Sequence, residues 1–292
     1  MGRVSRRTRS DVKRHMLFLG FGFTAQALAR RLDRSDWRIT ASARRPDSVA
    51  GIESLGVEAV LFDALEDIPR SVTHLVSSIA PDEAGDAVIR QLGSALESRA
   101  RQLAWAGYLS TTGVYGDHAG GLVDEDTPLT PNTVRGERRL AAERQWQRLH
   151  SEHGLPLHIF RLAGIYGPGR NALANLKAGT ARRVVKPGQI FSRIHVDDIA
   201  GVLAASIARP NPGRAYNVAD DEPCPPQDVV AHAAQLLGIA PPPEVPFAEA
   251  SMSAMAKSFF ADSKRVSNSR IKEELGYRLL YPSYREGLAA LL

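Results

Sequence analysis

Apolar, β-branched and aromatic residues gather in short runs that recur along the chain: MLFLG (16–20), WRITAS (37–42), VEAVLF (57–62), THLVSSI (73–79), LAWAGYLST (103–111), LHIFRLA (157–163) and AYNVA (215–219). Runs of this length, bounded by turn-forming residues, predict buried strands. Between them, stretches such as Thr24 to Leu32, Ala84 to Leu96 and Thr133 to Leu149 carry apolar residues three and four apart, the spacing of a helix with one buried face. Strand and helix alternate, which predicts an α/β fold: a Rossmann-type, doubly wound parallel sheet whose ligand crevice lies beyond the carboxyl ends of the strands. From Gly167 the pattern loosens into Gly- and Pro-rich loops and short helices, with Pro241, Pro242 and Pro243 marking a break. The expected organisation is a basic disordered arm at 1–15, a nucleotide-binding domain at 16–166 completed by about 193–220, and a small C-terminal substrate lobe from 167–192 and 221–292.

Charge first suggests a polyanion partner, because 37 Lys and Arg face 32 Asp and Glu over 292 residues. Residues 1–15 hold six of the basic and one of the acidic side chains, so the remaining 277 residues carry 31 of each. That distribution argues against a nucleic-acid-binding body. Met16 stands directly before the first apolar run, and a chain starting there would lack only the arm. No apolar run approaches the ~18 residues of a membrane span. The single cysteine, Cys224, has no internal disulfide partner, which fits a reducing cytoplasm.

The first predicted strand runs into Gly20-Phe21-Gly22-Phe23-Thr24-Ala25, which opens a helix. Gly20 permits a tight turn, and Gly22 lets a pyrophosphate approach the backbone. The amides of Phe23 and Thr24 start the helix, and the small Ala25 lets that helix lie close to the strand. The second strand ends in Ser42, Arg44 and Arg45, where an NAD site would place an acid for the ribose 2′-hydroxyl. Arginine there suits a 2′-phosphate, so NADP(H) is expected over NAD(H), with Arg44 the favoured contact. Asp63, after the third strand, either accepts from an adenine amino group or caps a helix.

Four further segments, LSTTGVYGD (109–117), FRLAGIYGPGR (160–170), RIHVDDIA (193–200) and AYNVADDEP (215–223), resemble in order and spacing the extended short-chain dehydrogenase/reductase family of NAD(P)-dependent epimerases and dehydratases. The resemblance implies that Thr111 hydrogen-bonds a substrate oxygen, with Ser110 and Thr112 beside it. It implies that Ser77, Ser78 and Ile79 pass the adenine ribose, and that Leu162 and Ala163 pass the nicotinamide. Tyr166 and Asn171 are expected in the substrate wall. The HVDD piece, His195 with Asp197 and Asp198, is expected to cap a helix and tie the lobes together, and no metal site is expected.

Family members place a Tyr and a Lys four residues apart on the helix after this strand; here those places fall on Arg135 and Arg139. A guanidinium stays protonated and cannot shuttle a proton. Tyr115 is therefore the first candidate acid, ahead of Tyr166 and His195. The four-residue spacing puts both arginines on one helix face, where they suit an anionic ligand. The reading is an NADP-dependent oxidoreductase, epimerase or dehydratase acting at a C–OH/C=O centre of a small, anionic substrate; the alternative is an NADP-binding regulatory or scaffold protein without turnover. The resemblance also implies a homodimer through helices at about 84–102 and 133–150, while the charge on the second leaves a monomer open.

Overall fold

The computed structural model describes residues 14–292. The chain begins with β1 (Arg14–Leu19), α1 (Phe23–Arg31), β2 (Trp37–Ala43), α2 (Pro46–Glu53), β3 (Glu58–Leu61) and β4 (His74–Ser77). It continues through α3 (Ala87–Arg99), β5 (Trp105–Thr111), β6 (Leu122–Val123), α4 (Val134–His153), β7 (Leu157–Leu162), β8 (Gly164–Tyr166), α5 (Ala172–Lys177) and β9 (Arg183–Val185). Last come β10 (Arg193–His195), α6 (Val196–Ala208), β11 (Ala215–Val218), α7 (Pro226–Leu236), β12 (Glu244–Pro246), α8 (Ala254–Phe259), β13 (Arg265–Val266), α9 (Ser269–Glu273) and α10 (Tyr284–Ala289).

All seven predicted strands enter one parallel sheet, in the order β11-β7-β5-β4-β1-β2-β3. The order reverses between β1 and β4, which opens a crevice at their carboxyl ends. Alternate side chains of β1 serve opposite faces: Met16 and Phe18 join the α1/α6 core, whereas Leu17 and Leu19 join the core under α3 and α4. Among the described residues no helix is long and apolar enough to cross a membrane.

Two boundaries differ from expectation. Residues 1–13 of the expected arm lie outside the described residues, but Arg14 and His15 belong to β1, paired with Trp37 and Arg38. Met16 is therefore the third residue of the strand. His15 is buried because hydroxyls meet its ring, Thr40 Oγ1 at 2.8 Å and Ser71 Oγ at 3.0 Å. The second difference lies near the C-terminus, where Val266, Ile271 and Leu275 pack into the main core rather than a separate lobe. Gly201 of α6 makes room for this segment, since a Cβ there would lie 2.1 Å from the Tyr277 hydroxyl. A smaller core of Tyr166, Leu173, Cys224, Ala233, Tyr284 and Leu288 gathers α5, α7 and α10 beside the crevice.

Candidate active site

The glycine turn forms for reasons visible in its neighbours. Gly20 has φ +88°, and a Cβ there would meet Ser78 Oγ at 2.9 Å. Its N–H donates to Ser42 Oγ at 3.1 Å, and Ser78 Oγ donates to its carbonyl at 3.1 Å. Ser42 is thus consumed in holding the turn; it is fully buried and faces no ligand. Ser77 is likewise fully buried, with its hydroxyl unpaired among the described residues. Gly22 has nothing within 4 Å of the position a Cβ would take, and α1 begins there without a side-chain cap. An open cradle under uncapped helix amides fits a pyrophosphate. Ala25 is buried against the sheet, as its size requires.

Two cavities flank this turn. One of about 400 Å³ is lined by Arg44, Asp63, Ile79, Ala80, Arg90 and Gln91 among others. Arg45 stands apart from it at the start of α2, where its carbonyl accepts from Ser48 and Val49. The other, about 800 Å³, runs from Gly22, Phe23, Thr24 and Ser78 past Thr111, Thr112, Leu162 and Ala163 to Tyr166 and Asn171. Arg135 and Arg139 both line it, as their spacing requires. Thr111 Oγ1 accepts the Gly113 N–H at 3.2 Å, leaving its own proton available to a ligand.

Tyr115 is not in the crevice. After Thr111 a tight turn over Thr112–Tyr115 carries the ring inward, where it is fully buried. Its hydroxyl donates to Asn217 Oδ1 at 2.8 Å and accepts from Arg161 Nη1 at 2.9 Å, and burial pushes its pKa up to about 12. A phenol so held carries no proton to a ligand, which removes the first-ranked acid. It ends a buried network that the sequence reading missed: Ser110 donates to Glu143, and Glu143 pairs with Arg161 at 3.0 Å. The signal available was a Glu on the apolar seam of α4 and an Arg inside a strand of otherwise buried residues.

The other candidates divide in the same way. Tyr166 donates to the Ser283 carbonyl at 3.3 Å, and burial raises its pKa. Asn171 caps α5, accepting from Ala174 N at 2.8 Å, so its amide oxygen is already occupied. His195 is buried and caps α6, while Asp198 accepts from Tyr277, Leu280 and Tyr281 and so ties the C-terminal segment to α6. Among the described residues no group of three His, Cys, Asp or Glu could hold a metal. Arg139 is buried, donating to the Tyr108 hydroxyl at 3.1 Å and the Leu109 carbonyl at 2.9 Å. Among the described residues Arg135 makes no such bond; its guanidinium lies 5.3 Å from the Phe259 ring centre. Around it the crevice gains Arg170, Arg182 and Lys264 from beyond the sheet, residues that no periodicity in the sequence marks.

Residues 17–219 match the family model described as NAD dependent epimerase/dehydratase family. The chain belongs to that family. It is 30% identical to Protein YeeZ of Escherichia coli (strain K12) over 282 residues, covering 90% of this chain and 95% of that protein. It is 28% identical to a Streptomyces protein named 3-diazoavenalumate denitrifying reductase, covering 86% and 89%. A solved structure of a functionally unknown conserved protein from Silicibacter pomeroyi aligns with TM-score 0.90 and 54% identity over 96% of this chain and 98% of that one. The human epimerase family protein SDR39U1, solved with NADPH, shares the fold at TM-score 0.72 and 17% identity over 95% of this chain and 98% of that one. The family's nicotinamide dinucleotide is the group that the cradle over Gly22 fits.

Proposed function

We propose that the chain binds NADP(H) and acts as an oxidoreductase at a C–OH/C=O centre of a small anionic substrate. One observation carries the reading: a single crevice joins the open cradle at Gly22 to a Thr111 hydroxyl with a spare proton and to arginines without carboxylate partners. When bound, the nicotinamide supplies or accepts a hydride. Thr111 orients the substrate oxygen by donating to it, and Arg139, fixed by Tyr108 and the Leu109 carbonyl, holds positive charge beside it. The Streptomyces relative is named a reductase, which supports the oxidoreductase part of this reading. For the cofactor, Arg44 lines the cavity at the adenine end, while the neighbouring Asp82 is paired with Arg90 at 3.0 Å.

Arg135 supports a second reading, cofactor binding without turnover, because no phenol stands on the face of α4 that meets Thr111. Fluorescence titration with NADPH and NADH, followed by absorbance assays on a carbonyl panel, separates the two. Tight NADPH binding with turnover that Thr111→Ala abolishes supports the first; binding without turnover across the panel supports the second; no binding sinks both. Arg44→Asp should weaken NADPH by about tenfold or more, the worth of charge-assisted hydrogen bonds of ~1.5–3 kcal/mol, and an unchanged preference would move the phosphate contact elsewhere.

A further inference from the structure

Positive charge in the crevice is arranged unevenly. Arg193 is spent on the Phe191 carbonyl at 3.0 Å and Cys224 Sγ at 3.1 Å, and Lys264 on the Gly116 carbonyl and Asp262. Arg135, Arg170 and Arg182 have no side-chain hydrogen bond or carboxylate partner among the described residues, although all three line the cavity. Arg135 keeps open surface toward the crevice. Even so, the groups packed about its guanidinium, and then the like charges of Arg139 and Arg170, hold its pKa below the ordinary value. Among the described residues the one acid lining the cavity, Asp262, already answers Lys264. Like charges left to converge cost the fold stability, a pattern of sites that meet an anion.

The surface beside the cluster is aromatic. Phe259 is 48% exposed, with Arg135 over its ring, and Phe191 and Phe260 meet edge to face at 5.3 Å in the same wall. Val229, Val230 and Leu288 continue an apolar lining. Arg135 stands one helical turn from Arg139, at the Thr111 end of the cavity, so a charged group held there lies next to the carbon that would react. A sugar nucleotide with a neutral sugar, such as UDP-glucose, puts no charge at that point and its diphosphate further off. We infer that the substrate is a small carboxylic acid with an aromatic or branched apolar body, its carboxylate gripped by Arg135 and Arg170 and its body laid on Phe259. This rests on the proposed function for the position of the reacting end, but the acid site itself stands on the arginines alone.

The test is calorimetric binding to protein loaded with NADP+, in which no reduction can occur, using phenylpyruvate, the neutral phenylacetone and UDP-glucose. Phenylpyruvate should bind ~10-fold or more tighter than phenylacetone, as expected for hydrogen bonds to a charged group. Arg135→Gln and Arg170→Gln should each erase that advantage. Because Arg135 makes no hydrogen bond and is repelled by its neighbours, Arg135→Gln should melt at the same temperature or higher, which a structural role would not give. Equal binding of acid and ketone, tighter binding of UDP-glucose, or an advantage that survives both substitutions would overturn the acid site. If NADPH fails to bind while phenylpyruvate still binds through Arg135, the proposed function falls and the acid site stands.

Discussion

Two sets of charges near Thr111 are built on opposite principles. In one set, Ser110, Glu143, Arg161, Tyr115 and Asn217 form a chain in which Glu143 is 0% exposed and Arg161 is 3% exposed, and each charge has an answering group. In the other set, Arg135 and Arg139 from one face of α4 line an open crevice together with Arg170, and among the described residues only Arg139 of the three has hydrogen-bond partners. A buried charge survives folding only when paired, so the first set is a structural brace whose worth is read by breaking it. Arg135 and Arg170 can stay unpaired because both are exposed to water. The contrast shows that a tyrosine or an arginine near the reacting end is not assigned a role by proximity in sequence; its partners assign it.

The largest effect should come from breaking the brace. Glu143→Ala leaves Arg161 buried without its carboxylate and should cost about 3–5 kcal/mol, read as a lower urea midpoint. Replacing both partners, Glu143→Met with Arg161→Met, should cost clearly less than Glu143→Ala alone, since an apolar pair of similar volume tolerates that environment. A single substitution that costs under ~1 kcal/mol would show that water reaches Arg161 and that the two sets differ less than the geometry says.

Acid should act on the same side of the comparison. His158 stacks on Trp105, with Nε2 accepting the Asn211 N–H at 2.9 Å, and His74 packs on Trp37; burial lowers both pKa values from 6.5 to about 4. Both rings are neutral in the fold and take up protons more readily when unfolded. Their contribution is therefore whole above pH 6.5 and is lost as pH falls from 6.5 through about 4. Thermal unfolding across that window should show a falling midpoint that His158→Gln flattens. The crevice arginines keep their charge throughout, so anion binding should not follow the same curve.

The sheet was legible because each strand is a short apolar run flanked by turn residues, and β1 through β11 of the sheet appear where the pattern puts them. The glycine turn was legible because Gly20 and Gly22 are required by backbone geometry that residue type alone reports. What failed were questions of direction. The distance from Thr111 to Tyr115 in sequence does not say which way a tight turn points its ring, and Asn171 reads equally as a ligand group or a helix cap until Ala174 N is seen on it. Phe259, Arg182 and Lys264 reach the crevice from short segments without periodicity, held by long-range contacts such as Lys264 on the Gly116 carbonyl.

The smallest effect is the most discriminating. Tyr115→Phe removes one hydroxyl from the brace and leaves Arg161 Nη1 with only the Glu125 carbonyl at 3.4 Å, and Asn217 Oδ1 without its donor. Leaving such groups unsatisfied costs about 1–3 kcal/mol, a loss that Glu143, still paired with Arg161, keeps from spreading. NADPH binding and any turnover should be unchanged. Were Tyr115 instead the acid, turnover would drop by ~10²–10⁴-fold with little loss of stability, the reverse pattern. One variant, measured by urea unfolding and by turnover, thus decides whether the tyrosine four residues past Thr111 belongs to the buried brace or to the chemistry of the crevice.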